Sequence, residues 1–158
     1  MAVVRAACAL TLMLAAQTCC AASSEALSQA MTGSWTVDAS FPNGEKRSFR
    51  FDARSSGEGS LLLLDPRSSL AEPARPTDAK WTRGDPGSVT ISGPVEFPIG
   101  NVGRERGTLV LRGKFGADGS ITGEAAFYAP GQDPSVSKSR PSRSGSFNAV
   151  QKSGGSRR

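Results

Sequence analysis

The sequence predicts an all-β protein, a single antiparallel up-and-down barrel of about eight strands with a short N-terminal helical turn. The first observation behind this prediction is a repeated triplet of glycine, a hydroxyl residue and a large apolar residue. A glycine can leave a turn with positive φ, the hydroxyl then faces water and the apolar side chain faces the core, so each triplet indicates the start of a strand. The triplets are Gly33-Ser34-Trp35, Gly59-Ser60-Leu61, Gly87-Ser88-Val89, Gly107-Thr108-Leu109, Gly119-Ser120-Ile121 and Gly145-Ser146-Phe147.

The second observation is an alternation of apolar and polar residues, which is typical of strands with one buried face. Eight strands are predicted near Gly33 to Ala39, Lys46 to Ala53, Gly59 to Asp65, Ala79 to Arg83, Gly87 to Phe97, Gly107 to Phe115, Gly119 to Tyr128 and Ser144 to Gln151. The shared faces predict a contiguous core of Leu109, Leu111, Phe115, Ile121, Phe127 and Phe147. Short turn sequences such as Pro42-Asn43-Gly44 indicate antiparallel hairpins. A barrel or a two-sheet sandwich would bury the apolar face, and the sequential spacing favours the barrel.

The N-terminal segment is typical of a secretory signal peptide. Arg5 precedes an apolar run from Ala6 to Ala16, and small residues lead to Ala22. This apolar run is too short to span a bilayer, which needs about 20 residues. We therefore expect a signal peptide over residues 1–22, the barrel domain over 23–152 with its helical turn at Glu25 to Met31, and a disordered basic tail over 153–158. The alternative to a cleaved secretory signal peptide is a lipoprotein signal in which Cys19 or Cys20 carries the lipid.

The composition excludes several classes of chemistry. The chain has no His, and its three cysteines, Cys8, Cys19 and Cys20, all lie in the N-terminal segment. Catalysis by a Ser-His-Asp or Cys-His pair, imidazole or thiolate metal sites, haem or iron–sulfur ligation and disulfides are therefore not expected in the mature chain. Paired carboxylates stay possible, but no pair is singled out. We expect a non-enzymatic protein with no cofactor and no metal, secreted and located in a bacterial periplasm.

The positive charge is concentrated towards the C-terminus. Residues 23–133 contain 12 basic and 14 acidic residues, a net charge of −2. The last 25 residues contain six cations and no acid, namely Lys138, Arg140, Arg143, Lys152, Arg157 and Arg158. This asymmetry predicts a basic tail that makes weak contact with anionic surfaces or only keeps the chain in solution. No specific nucleic-acid site and no transmembrane segment are expected.

Few side chains stand out as candidate site residues. Trp81, in a position that fits a barrel rim, could stack on a ligand ring. Arg104 and Arg106 lie between the glycines and prolines of residues 93–107, which indicate either a binding loop or a charged, solvated hairpin. Gly33 and Trp35 are predicted to form a structural barrel end.

The helical turn, Gly33-Ser34-Trp35 at the opening of the first strand and the hairpin-linked strands together resemble the lipocalin and avidin-like barrels. This resemblance implies that Trp35 plugs the closed end of the barrel. It also implies a basic residue of the last strands packed across that ring, for which Arg143 and Lys152 are the candidates. The resemblance does not identify a ligand, because fold alone does not determine function.

The sequence leaves two classes of function open. The first is a binding module for a small apolar molecule or a protein partner. The alternative is a structural protein of the cell envelope, with a filled barrel and a basic tail tethered to an anionic surface. Gly113, Gly123, Ala125 and Ala149 would leave room inside the barrel, whereas the bulky core residues would fill it.

Overall fold

The structure is a computed structural model that describes residues 30–64, 75–85, 87–99, 103–136 and 138–152. Its strands are β1 (Gly33–Ser40), β2 (Lys46–Ala53), β3 (Glu58–Leu63), β4 (Thr77–Arg83), β5 (Ser88–Ile99), β6 (Gly103–Phe115), β7 (Ile121–Tyr128) and β8 (Arg143–Gln151). They form a closed antiparallel barrel in sequence order, which confirms the predicted all-β, up-and-down fold. The predicted helical turn lies outside the described residues apart from its last two.

The barrel closes because β1 has a partner on both sides. Val37 pairs with Phe49 of β2 and with Ala149 of β8. A two-sheet sandwich is therefore wrong for this chain, because closure leaves the sheet no edge along β1 or β8. The β1–β2 turn has Gly44 at φ 80° and the β6–β7 turn has Gly119 at φ 78°, a region that glycine enters without strain.

Alternate residues of each strand fill the interior. The largest fully buried side chains of the barrel are Trp35, Phe49, Phe51, Phe97, Phe127, Leu61, Ile91, Leu109, Leu111, Ile121 and Val37. Five of the six predicted core residues are buried, whereas Phe115 is only half-buried. An aromatic ring fills the space beside Gly113. A Cβ added to this glycine would lie only 2.7 Å from Phe147 Cζ. The space that the sequence leaves open at Gly113 is therefore occupied. The space at Gly123 is occupied as well, because a Cβ added there would collide with the Arg112 carbonyl.

Strands β5 and β6 extend further than the sequence predicts. Residues 95–99 of β5 pair with residues 103–107 of β6, and neither stretch pairs with β4 or β7. We call this two-stranded extension the arm. The sequence left a binding loop and a charged, solvated hairpin open here, and the structure shows the hairpin. Pro98 fits because this part of β5 pairs only with β6, so no strand on its other side needs the missing N–H.

The up-and-down order places alternate connections at opposite ends of the barrel. The β1–β2, β3–β4 and β7–β8 connections lie at the same end as the arm, which we call the arm end. The other end, which we call the tryptophan end, has Trp35 and Trp81 near the ends of their strands and is where β8 finishes at Gln151.

This topology corrects the prediction of one basic C-terminal tail. Lys138 and Arg140 lie in the β7–β8 connection, and Arg143 begins β8 at the arm end. Lys152 lies at the tryptophan end, where its backbone N–H donates to the Ser34 carbonyl at 2.8 Å. The nine residues of β8 separate the two groups by roughly 30 Å. Arg157 and Arg158 lie outside the described residues.

Candidate functional site

The arm end carries most of the net charge of the described residues. Its described charged residues are the cations Lys46, Arg47, Arg75, Arg104, Arg106, Lys138, Arg140 and Arg143 and the acids Glu45, Asp78, Glu96, Glu105 and Asp133, a net charge of +3. The rest of the described barrel has seven basic and six acidic residues. At the arm end, all the cations except Arg47 and Arg143 are exposed, whereas Asp78 and Asp133 are the exposed acids among the described residues there. The exposed surface of this end is therefore strongly basic.

Four of these charged groups point inward and form an ion-pair cluster at the mouth of the barrel. Arg47 and Arg143 lie on the same strand faces as buried apolar residues of β2 and β8. Arg47 Nη2 lies 2.5 Å from Glu45 Oε1, and Arg143 Nη1 lies 2.5 Å from Glu45 Oε2. Arg143 Nη2 also pairs with Glu105 Oε2. The four side chains, each only 14 to 30% exposed, carry two positive and two negative charges that neutralise one another.

Aromatic rings lie directly beneath the ion-pair cluster. The Phe97 ring centroid lies 4.9 Å from that of Phe127 and 6.1 Å from that of Phe49. The guanidinium carbons of Arg47 and Arg143 are each 5.4 Å from the Phe97 centroid, and that of Arg143 is 4.7 Å from the Phe127 centroid. At these distances a guanidinium is attracted to the ring quadrupole, so the rings and the cluster hold each other in place.

The inner face of the arm is fixed to the barrel by side chains. Phe97 and Glu105 face each other across the arm, and both point into the mouth. Arg47 Nη2 also donates to the Pro98 carbonyl at 3.4 Å. Because no backbone pairing with β4 or β7 supports the arm, these contacts on β2, β7 and β8 fix its position.

The outer face of the arm carries the predicted site residues Arg104 and Arg106. Both pair with Glu96 on the neighbouring strand, Arg104 Nη1 at 3.4 Å and Arg106 Nε at 2.6 Å. One carboxylate thus serves two guanidinium groups, and the Arg106 side chain is still 78% exposed. These two arginines lie together on the basic surface of the arm end.

The predicted tryptophan positions lie at the opposite end of the barrel. Trp81 is 4% exposed, and its indole N–H donates to the Arg54 carbonyl at 2.9 Å, so it is not grouped with Arg104 and Arg106. Trp35, two residues after Gly33, is buried and contacts Phe115 edge-on at 6.0 Å. Arg143 packs on Phe127 at the arm end, so the expectation that it packs across Trp35 is wrong.

Sequence reasoning did not identify the ion-pair cluster, although a signal for it is present. Arg47 is in phase with Phe49 and Phe51, and Arg143 is in phase with Phe147 and Ala149. A charged residue in phase with the buried face at a strand terminus indicates an ion pair at the mouth of a barrel. Because Arg143 follows the last acid of the sequence, its charge alone groups it with the basic tail rather than with the mouth.

Ionisation of Glu45 is coupled to this cluster. Burial by itself raises the pKa of Glu45, but hydrogen bonds from Asn43 and Arg143 and the charges of Arg47 and Arg143 outweigh it and lower the pKa below its ordinary value of 4.5. The Glu105 carboxylate shares Arg143 with it. A carboxylate with a lowered pKa stabilises the folded state above its unfolded-state pKa, and this stabilisation is lost as the pH falls through the folded-state value.

We therefore predict a stability difference between the parent chain and Glu45→Gln that depends on pH. The parent is expected to be more stable near neutral pH, and the difference is expected to shrink as the pH falls from about 5 to below 4. Urea unfolding of both chains across this range measures it. A difference that stays constant with pH would show that Glu45 does not gain its ionised stability from the cluster.

No protein-family model matches the chain, and no curated protein matches its sequence. Within the described residues, no group of three or more His, Cys, Asp or Glu side chains is placed to hold a metal ion. In the same part of the chain, no helix has the length and hydrophobicity needed to cross a membrane.

Proposed function

We propose that this chain is a secreted, non-enzymatic binding module that contacts an anionic partner through its arm end. The observation that supports this proposal is the segregation of charge, because the arm end has a net charge of +3 while the rest of the described barrel has a net charge of only +1. A basic surface of this kind attracts anionic partners over a distance set by the Debye length, about 8 Å at physiological ionic strength.

The interior gives less support to a small apolar ligand. The inward face is built from fully buried aromatic and aliphatic side chains. Beside Gly93, Cβ of Ala79 would lie 2.9 Å from an added Cβ, and Cδ1 of Leu61 would lie 3.1 Å from it. A neutral ion-pair cluster lies at the mouth, above the Phe97 and Phe127 rings. This packing favours a filled barrel that acts through its surface. A structural role in the cell envelope is the second candidate, because it also requires a filled barrel.

A relationship to the lipocalin and avidin-like barrels is part of the same proposal. The closed eight-stranded barrel is compatible with such a fold, and Gly33-Ser34-Trp35 opens its first strand. Secretion to a bacterial periplasm rests on the N-terminal sequence alone.

The proposal predicts that removing cations at the arm end weakens binding to anionic surfaces more than removing cations elsewhere. The probe is vesicles of phosphatidylcholine with phosphatidylglycerol, measured by cosedimentation at low and high salt. The arm-end variant combines R104S, R106S, K138S and R140S. The matched control combines K80S, R83S, K114S and K152S, which removes the same charge from the rest of the barrel.

We expect the control variant to keep most of the vesicle binding and the arm-end variant to lose it, about tenfold or more at low salt. High salt should abolish binding of the parent chain because exposed charges are screened. Equal loss in both folded variants would mean that only the total charge matters, and the arm end would not be the contact surface.

A further inference from the structure

We infer that the anionic partner of the arm end is a lipid bilayer rather than a soluble polyanion, an inference that rests on the proposed function. The basic surface also displays apolar side chains. Among the described residues, the exposed large hydrophobic side chains are Leu64, Val136 and Val150, at 42%, 52% and 52%. Leu64 and Val136 both lie at the arm end, whereas Val150 lies on the outer face of β8 towards the tryptophan end.

Backbone hydrogen bonds fix the main chain at both Leu64 and Val136. Leu64 follows β3, and its N–H donates to the Ser48 carbonyl of β2 at 2.8 Å. Val136 lies in a turn of the β7–β8 connection, where its N–H donates to the Asp133 carbonyl at 3.2 Å and its carbonyl accepts from Ser139 at 2.9 Å. Each side chain is therefore presented to solvent from an ordered backbone.

Exposed cations lie at the same end of the barrel as both apolar residues. Lys138 and Arg140 follow Val136 within four residues, and both are exposed. Arg75, also exposed, precedes β4 at the same end as Leu64. The arm adds Arg104 and Arg106, so cations and apolar side chains occupy the same end of the barrel.

A bilayer and a soluble polyanion use such a surface differently. A soluble polyanion contacts only the cations, and exposed valine or leucine side chains add little to its binding. An anionic bilayer attracts the cations to its headgroups and also takes apolar side chains into the interface. The presence of exposed Leu64 and Val136 at the same end as the cations therefore favours the lipid surface.

The test measures one set of variants against three probes. The probes are vesicles of phosphatidylcholine with phosphatidylglycerol, vesicles of phosphatidylcholine alone, and soluble dextran sulfate. The variants are the double substitution L64S with V136S and the matched control V150S, which removes an equally exposed valine far from the arm end. Circular dichroism and urea unfolding establish that each variant is folded.

We expect the double variant to bind the anionic vesicles about tenfold more weakly and dextran sulfate as tightly as the parent. The control is expected to bind both probes like the parent, and neutral vesicles should bind all chains weakly. A folded double variant with unchanged vesicle binding would overturn the inference. Binding to dextran sulfate without binding to anionic vesicles would also overturn it but would leave the proposed function intact, whereas binding to neither would contradict both.

Discussion

Replacing Phe97 with alanine is expected to lower the free energy of unfolding by about 3 to 5 kcal/mol, the range for a fully buried phenylalanine. Phe97 is completely buried, and its ring contacts the rings of Phe127, Phe49 and Phe41, the last at 6.5 Å. Its loss removes a core ring that also packs the arm against the barrel. Urea unfolding monitored by circular dichroism measures the change.

Phe115→Ala is the matched control, because it removes the same ring at the tryptophan end. Phe115 is half-buried, so its replacement should cost less than that of Phe97. If Phe97→Ala cost less than Phe115→Ala, or under about 1 kcal/mol, the arm would not be anchored by this ring.

Replacing Arg143 with methionine is expected to cost about 2 to 3 kcal/mol, somewhat less than the loss of one partner from a fully buried ion pair. Methionine keeps an unbranched apolar stem over Phe127 but removes the guanidinium that joins Glu45 and Glu105. The two carboxylates then lose their shared partner in a partly desolvated mouth. Thermal or urea unfolding near neutral pH measures the loss.

Two comparisons separate this effect from a general loss of charge. Arg106→Met removes an exposed guanidinium from the same end and should change the stability by less than about 1 kcal/mol. Adding Glu45→Gln and Glu105→Gln to Arg143→Met should restore part of the stability, because the unpaired carboxylates are gone. An Arg143→Met chain as stable as Arg106→Met would show that the ion-pair cluster does not stabilise the mouth.

Most of the barrel could be predicted from local sequence signals. The period-two alternation and the Gly-Ser/Thr-apolar triplets marked strand positions, and β2 begins and ends at the predicted residues. Closure was harder to predict, because the pairing of β1 with β8 joins residues more than 100 positions apart. The arm was predicted only in part, since Pro94, Pro98 and the neighbouring glycines are as typical of a binding loop as of the charged hairpin that the structure shows.

The candidate site could be predicted only in part. Arg104 and Arg106 were singled out from their charge, and the structure places them on the basic end. Lys138 and Arg140 were grouped with the tail by charge alone, although they lie between the predicted seventh and eighth strands and the up-and-down order puts that connection at the arm end. Trp81 fits a rim position in sequence, but the register of β4 turns its side chain into the barrel.

Hydrogen exchange of the intact chain, with and without anionic vesicles, shows directly which end of the barrel is the contact surface. If it is the arm end, exchange should slow on binding in residues 42–46, 103–106, 130–136 and 138–142, all at that end. Exchange at residues 54–58, 84–85, 87–88 and 116–120, in the turns of the tryptophan end, should not change. Slower exchange confined to those opposite turns, or spread equally over both ends, would show that the arm end is not the contact surface.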